Sequence, residues 1–359
     1  MVNRKNAEQI QEEILSYLKE GPKSIKKLSE LTKSTWTTIN THLENLKKEN
    51  KVREILSINN LRVFIRTDYP VFYGLPLDKE KRNLSLYLLA KIIDSWKDSH
   101  NGEIPNKTTV QKIAVEIAKK EPSLNLPVVR FHYGKVLPVS VEPQNANQML
   151  IDYNVSEPKN SSDILKKIHN EIKNGNHTNI AWKEKKEQYE KHEDMKIYLL
   201  KDKIEYASYN NYNFKADTEK VIYDLFLEIP STRRYSYYLQ RYHDFISAFK
   251  LIINSNEFEK EKRQYIQEII EVFNSIWQSL TTQFFFEDFG SQTDKELEEI
   301  QENIEKNTFE IDIFQINDKI TNLLSYKNYL TIKKKELNEN EKKIMSILLE
   351  GANEEWGGF

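Results

Sequence analysis

Apolar residues near the amino terminus recur at helical spacing in three consecutive segments. The first runs from Ala7 to Glu20 and ends at Gly21-Pro22, where a helix cannot continue. The second begins after Ser24, a suitable N-cap, and the third begins after Thr35 and reaches about Glu49. The predicted inner faces are Ile10, Ile14, Leu15 and Leu18 in the first helix, Ile25, Leu28 and Leu31 in the second, and Ile39, Leu43 and Leu46 in the third.

After the third helix the pattern changes to that of a β-hairpin. Val52–Ser57 and Leu61–Arg66 are rich in β-branched and apolar residues. Asn59-Asn60 between them suits a tight turn, because Asn tolerates a positive φ. Three short helices followed by a hairpin predict a helix-turn-helix with a wing.

The polar face of the third helix carries short side chains that donate and accept hydrogen bonds. Such a face suits the major groove of duplex DNA, where base edges display donors and acceptors. We expect some of these side chains to face bases, and nearby basic side chains to contact mainly phosphates. The base-facing candidates are Thr37, Asn40 and Thr41, the phosphate candidates are Lys33, Lys47, Arg53 and Arg62, and the complete DNA-binding set adds Ser34, Thr35, Trp36, Asn59 and Asn60.

These roles predict different effects for two substitutions. Loss of Arg62 is expected to weaken binding to all DNA sequences and to flatten its salt dependence, as for a phosphate contact. Asn40→Ala is expected chiefly to relax the sequence preference, as for a base contact.

Residues 7 to 66 resemble the winged helix-turn-helix superfamily of prokaryotic regulators. The likeness rests on SIKKLSEL from Ser24, TINTHLENL from Thr38, and KVREI from Lys51 with the hairpin that follows, and it covers roughly a sixth of the chain. It implies binding to double-stranded DNA, although winged helices also act as protein–protein modules. Trp36 differs from the small or charged residue typical near the start of such a recognition helix, which leaves open whether this end faces DNA or packs under the wing.

The middle of the chain begins with an aromatic, proline-containing connector at Asp68. Leu84–Trp96 and Asn106–Lys120 then predict two helices, and Leu126–Val139 is apolar and extended. Two interpretations remain open for this part. It is either a second, degenerate winged helix or a helical extension that packs on the first domain and positions a dimer.

The carboxy-terminal half shows long helical periodicity after a region rich in Asn, Ser, Gly and Lys. Tyr237–Ile253, Lys262–Leu280 and the acidic Thr293–Lys306 are predicted helices, and the second has a broad apolar stripe typical of a bundle. The aromatic cluster that begins at Phe284 is expected in a core or a dimer contact. After a short helix over Glu341–Leu349, the acidic-aromatic tail could serve as a docking peptide.

The predicted domain organisation follows from these boundaries. A winged helix-turn-helix DNA-binding domain is expected first, then the middle part, a linker region with one short helix, and an acidic helical oligomerisation or effector domain. The corresponding ranges are residues 1–67, 78–142, 143–180 and 181–359.

Charge is distributed unevenly along the chain. Residues 1–150 hold 24 Lys and Arg against 17 Asp and Glu, whereas residues 151–359 hold 29 against 38. A basic amino-terminal part suits a polyanion, so we expect it to be the part that binds double-stranded DNA. A protein partner of the acidic half stays open.

The sequence contains no recognisable catalytic or metal-binding constellation. The absence of cysteine excludes disulfides, thiolate ligands and cysteine nucleophiles. Helical ribonuclease domains carry an Arg–His pair on one helix face, but the spacing of Arg234 and Arg241 from His243 does not bring such a pair onto one face. No phosphate-binding Gly-rich loop or nucleophile elbow occurs in the sequence. We expect no catalytic residues, no metal site and no cofactor.

Together these patterns predict a mainly α protein with a small β-hairpin wing, in which a winged helix-turn-helix precedes a helical carboxy-terminal domain. The expected function is sequence-specific duplex DNA binding by a non-enzymatic homodimer, a prokaryotic transcriptional regulator. With no membrane-length apolar stretch and no secretory signal, we expect it in the cytoplasm. The alternative is a winged-helix interaction component of a replication, plasmid-maintenance or defence assembly; a nuclease with a DNA-binding appendage has the least support.

Overall fold

Three helices and a three-stranded sheet form the amino-terminal domain in a computed structural model that describes residues 5–58, 61–209, 214–255, 258 and 260–325. The strands pair antiparallel in the order β1–β3–β2, which is the arrangement of a winged helix-turn-helix. The elements are α1 (Ala7–Glu20), β1 (Lys23–Ser24), α2 (Ile25–Thr32), α3 (Trp36–Lys48), β2 (Val52–Ile58) and β3 (Leu61–Arg66).

Polar caps set the starts of these three helices. The Asn6 side chain accepts a hydrogen bond from the Gln9 backbone N–H at 2.8 Å, and the Gln9 side chain accepts one from the Asn6 N–H at 3.0 Å. Ser24 Oγ accepts from the Lys27 N–H at 3.1 Å at the start of α2. Thr35 Oγ1 accepts from the N–H of residue 38 at 3.2 Å at the start of α3. The N-caps predicted at Ser24 and Thr35 are therefore confirmed.

The predicted apolar faces of α1, α2 and α3 meet in one core beneath the sheet. Val52 and Phe64 extend this core from the sheet side. Leu15 is only partly buried there, and Leu31, in the last turn of α2, is half-buried. The fully packed members from the helices are Ile10, Ile14, Leu18, Ile25, Leu28, Ile39, Leu43 and Leu46.

The opposite face of the sheet is buried as well, because a β-bulge changes the side to which β2 points. Glu54 pairs with Phe64, but Leu56 pairs with Val63, so Ile55 is the extra residue between them. One extra residue reverses the alternation of a strand, and Leu56 therefore joins Val63 in a second core. The sheet thus connects two apolar cores.

The second core is built mainly by helices that follow the wing. These helices are α4 (Lys79–Ser99), α5 (Lys107–Lys120), α6 (Ala146–Asp152) and α7 (Ser161–Asn174), and the hairpin of β4 (Val129–Phe131) and β5 (Gly134–Val136) packs with them. The region predicted as a linker, residues 143–180, contains α6 and α7, whose apolar residues belong to this core. Two helices and a hairpin agree with both interpretations of residues 84–140, so the domain boundaries stay predictions.

The described residues divide into two compact units. The first reaches Leu199 and includes Gln278–Ile311, and the second comprises Leu200–Trp277 and the residues from Asp312 onward. Phe285 and Phe286 lie in the second core of the first unit, so the aromatic cluster is a core element.

The second unit is helical and rich in buried aromatic residues. Its core includes Phe214, Tyr242, Phe245, Phe249 and Phe273, all at most 1% exposed. The helices predicted over 237–253 and 262–280 are confirmed, and the one predicted over 293–306 forms part of a longer helix; the helix over 341–349 and the tail lie outside the described residues. The remaining helices are α8 (Ala181–Lys191) of the first unit, α10 (Phe214–Glu228) and α11 (Ser236–Ile253) of the second, and three with residues in both units, α9 (Lys196–Tyr209), α12 (Lys262–Phe289) and α13 (Lys295–Ser325).

A buried imidazole holds the loop between α7 and α8. His177 is 4% exposed, with Nδ1 2.9 Å from a Glu184 carboxylate oxygen and Nε2 3.1 Å from a Glu171 oxygen. Burial opposes protonation of the imidazole, but the hydrogen bonds to the two carboxylates outweigh it and raise the pKa of His177 to about 9. The hydrogen bond to His177 is the main cause that lowers the pKa of Glu171 to about 2, with a further contribution from Lys120.

We predict that His177→Gln destabilises the first unit in a pH-dependent way. A raised folded-state pKa contributes stability that is fully present below the ordinary value of 6.5 and is lost as the pH rises through about 9. Urea unfolding is expected to show a cost of about 1–3 kcal/mol near pH 6, a typical value for charged hydrogen bonds, which shrinks as the pH rises above 6.5 and is mostly lost at about pH 9. The exposed His169→Gln is the control and should have little effect. A cost independent of pH would contradict the paired imidazolium.

Candidate nucleic-acid interface

The outer face of α3 is open to solvent. Thr37, Thr41 and Lys48 are exposed and share this face, since they follow one another at spacings of four and seven residues. The Thr41 hydroxyl donates to the Thr37 carbonyl at 3.0 Å, which leaves its lone pairs available as acceptors. Trp36, at the first position of the helix, is 48% exposed.

A network of charged groups fills the groove between α3 and the wing. Arg62 Nε and Nη2 donate to the two carboxylate oxygens of Glu54 at 2.7 and 2.9 Å. Nη2 also donates to Glu44 at 2.7 Å, and Nη1 donates to Asn40 Oδ1 at 2.6 Å. Lys47 binds the same Glu54 carboxylate at 2.8 Å. Two base or phosphate candidates on α3, Asn40 and Lys47, are thus tied to the wing.

The network holds Glu54 in its ionised form. The hydrogen bond from Arg62 is the largest cause that lowers the pKa of Glu54 to about 2, and it outweighs the opposing effect of burial, with Lys47 adding to it. The hydrogen bonds to Glu54 and Glu44 in turn raise the pKa of Arg62. The guanidinium lies 5.0 Å from the centre of the Phe64 ring, which faces the same side of β3.

Other basic side chains of this domain remain exposed. Within the described residues, Lys33, Lys48 and Arg53 take part in no hydrogen bond or ion pair through their side chains. Lys33 ends α2 in the left-handed conformation, with φ 56°, and the backbone N–H of Ser34 donates to the Ser29 carbonyl in the turn that precedes α3. These cations are available to an anionic ligand.

The structure brings most of the predicted set together around α3. Lys33, Ser34 and Thr35 lie at or before its start, whereas Arg53, although exposed, pairs with Ile65 on the face of the sheet opposite to Phe64. Asn59 and Asn60 lie outside the described residues. Sequence reasoning missed Lys48 and the pairing through Glu54. Lys48 could have been found from its helical position, one turn beyond Glu44 on the polar side of α3.

The part of the chain that the structure describes contains no group of three or more His, Asp or Glu side chains placed to hold a metal ion. Arg241 binds Asn317 at 3.1 Å and Asp244 at 3.3 Å, while the His243 side chain is 65% exposed. Among the described helices, none has the length and apolar character that crossing a membrane requires.

Comparison with known families supports the assignment of the amino-terminal domain. Residues 9–54 match the sequence model of a family described as "Bacterial regulatory protein, arsR family". The match runs from α1 into β2 and confirms the winged helix-turn-helix resemblance, and it supports a DNA-binding, regulatory, non-enzymatic role for this domain. No curated protein and no solved structure matches the chain.

We predict that Glu54→Gln weakens the domain by about 1–3 kcal/mol near pH 7, the typical size of a lost charged hydrogen bond. A lowered folded-state pKa contributes stability that is present above the ordinary value of 4.5 and is lost as the pH falls towards 2. The difference in thermal unfolding between variant and wild type is therefore expected to shrink below pH 4.5 and to vanish only near pH 2. Glu49→Gln, which removes an exposed carboxylate that pairs with Lys51, is the control and should stay within about 0.5 kcal/mol of wild type. A Glu54→Gln variant as stable as this control would contradict the network.

Proposed function

We propose that the protein is a transcriptional regulator that binds duplex DNA sequence-specifically, with α3 in the major groove and the wing beside it. The observation that carries the proposal is the exposed face of α3, which presents the hydroxyls of Thr37 and Thr41 together with the unpaired cation Lys48. The exposed cations Lys33 and Arg53 lie at the end of α2 and on the wing. Hydroxyls can donate to or accept from base edges, and exposed cations neutralise phosphates.

Phosphate contacts are assigned to the exposed cations first. Lys33, Lys48 and Arg53 can meet a phosphate without losing an internal partner. Arg62 would have to leave two carboxylates, and Glu54, only 15% exposed, would keep a single cationic partner in Lys47. The cost of leaving a carboxylate poorly paired argues against this exchange.

A homodimer is part of the proposal. One winged helix offers little surface to DNA, whereas two modules on paired half-sites multiply specificity. The acidic carboxy-terminal half would then supply oligomerisation or sensing, and a non-enzymatic role for the whole chain follows from the same assignment.

We predict salt-dependent binding of the full-length protein to random duplex DNA. Each phosphate contact contributes about −0.9 to the slope of log affinity against log salt. The double variant Lys48→Ala/Arg53→Ala is therefore expected to bind more weakly and with a slope smaller in magnitude by about 2. Fluorescence anisotropy across a salt series measures both quantities.

The matched control is Lys166→Ala on α7, a lysine whose side chain is 74% exposed and distant in sequence from the winged helix. Its salt slope should equal that of wild type. Absence of duplex binding by wild type even at low salt would contradict the proposed function and favour the interaction-protein alternative.

A further inference from the structure

The Arg62 guanidinium is held by three side chains at once. It makes four hydrogen bonds of 2.6–2.9 Å to Asn40, Glu44 and Glu54, and its side chain is 23% exposed. The partners come from both α3 and β2, so Arg62 on β3 connects three elements. Such multiple attachment restricts the rotamers of every side chain in the network.

The network fixes the orientation of the Asn40 amide. A guanidinium carries only donors, so the amide must turn its carbonyl oxygen, not its nitrogen, towards Arg62. The observed 2.6 Å contact joins Arg62 Nη1 to Asn40 Oδ1 in agreement with this requirement. Asn40 Nδ2, with two hydrogens to donate, is the part of the amide left for a ligand.

We propose that Arg62 is a positioning residue for sequence readout, which makes Asn40 a hydrogen-bond donor to bases instead of binding phosphate itself. The inference rests on the proposed function of α3 as the DNA-reading helix. It reverses the role that the sequence alone suggests for Arg62.

The fixed amide implies a preference among bases. In the major groove, guanine presents two acceptors, thymine presents O4 and adenine presents N7, whereas cytosine presents only the N4 donor. An amide that offers its Nδ2 group can therefore donate to guanine, thymine or adenine but not to cytosine, which it disfavours. Without Arg62, the amide of Asn40 is free to rotate and to accept from cytosine N4.

The experiment begins with the site that the full-length wild type selects from a random duplex library. Affinities are then measured for that duplex and for all single-base replacements in it, at several salt concentrations. The variants are Arg62→Gln, Asn40→Ala and the double substitution, with Arg53→Ala as the control on β2.

Wild type is expected to disfavour cytosine at one position by about 5- to 100-fold, the discrimination of a good side-chain contact to a base edge. Arg62→Gln and Asn40→Ala should each abolish most of this penalty at the same position, with no further loss in the double variant and an unchanged salt slope. Arg53→Ala should retain the penalty and reduce the magnitude of the slope by about 0.9.

The inference is overturned if Arg62→Gln keeps the full discrimination, or if it reduces the salt slope as Arg53→Ala does. Should Arg62→Gln fail to fold by circular dichroism, Asn40→Asp replaces it, because a carboxylate still accepts the hydrogen bond from Arg62 but has no hydrogen to donate to a base. A fully retained cytosine penalty in Asn40→Asp then also overturns the inference. If the wild type binds no duplex at all, the proposed function is overturned together with the inference. If it binds duplex and only the cytosine discrimination fails to depend on Arg62, the inference alone is overturned.

Discussion

The burial of both faces of the β1–β3–β2 sheet is the constraint on which the rest of the first unit depends. Val52 and Phe64 complete the core of α1–α3, while Val63, Ile65 and Leu56 enter the core of α4–α7. The bulge at Ile55 makes this division possible, because without it Leu56 would point to the other side. The winged helix is therefore packed onto the following helices through its own sheet.

The same alternation decides the electrostatics of the candidate DNA-binding surface. Glu54 and Arg62 lie on the side of the sheet that faces α3, together with Phe64, and so they meet Asn40 and Glu44 in the groove. Cations that have no such partners, Lys48 among them, lie on the exposed surface. Packing in the sheet thus separates the paired charges that hold the recognition helix from the cations that are free to contact phosphates.

Local signals in the sequence were sufficient for the winged helix. Helical spacing, the N-caps Ser24 and Thr35, and the β-branched hairpin predicted its elements, because each depends on residues a few positions apart. The pairing of Arg62 with Glu54 and Glu44 was not predicted, since it depends on strand register and on a bulge that leaves no mark in composition.

Contacts over long sequence separations were missed for the same reason. Arg82 in α4 is buried at 2% exposure and donates to the carbonyls of Lys19 and Glu20 at 3.0 and 2.9 Å, at the end of α1. A cation there donates hydrogen bonds to carbonyls that lack helical partners, and it is stabilised by the negative end of the helix dipole. Likewise, α6 and α7 lie in a region whose polar composition suggested a linker, but a few apolar residues such as Ile164 and Ile168 suffice to bury one face of α7.

The claim that the winged helix binds DNA is tested most directly by amide hydrogen exchange of the full-length protein with and without saturating duplex DNA. We expect protection on binding to be concentrated in residues 33–48 and 52–66. Protection confined to the acidic helices, or no protection at all, would contradict DNA binding by the winged helix.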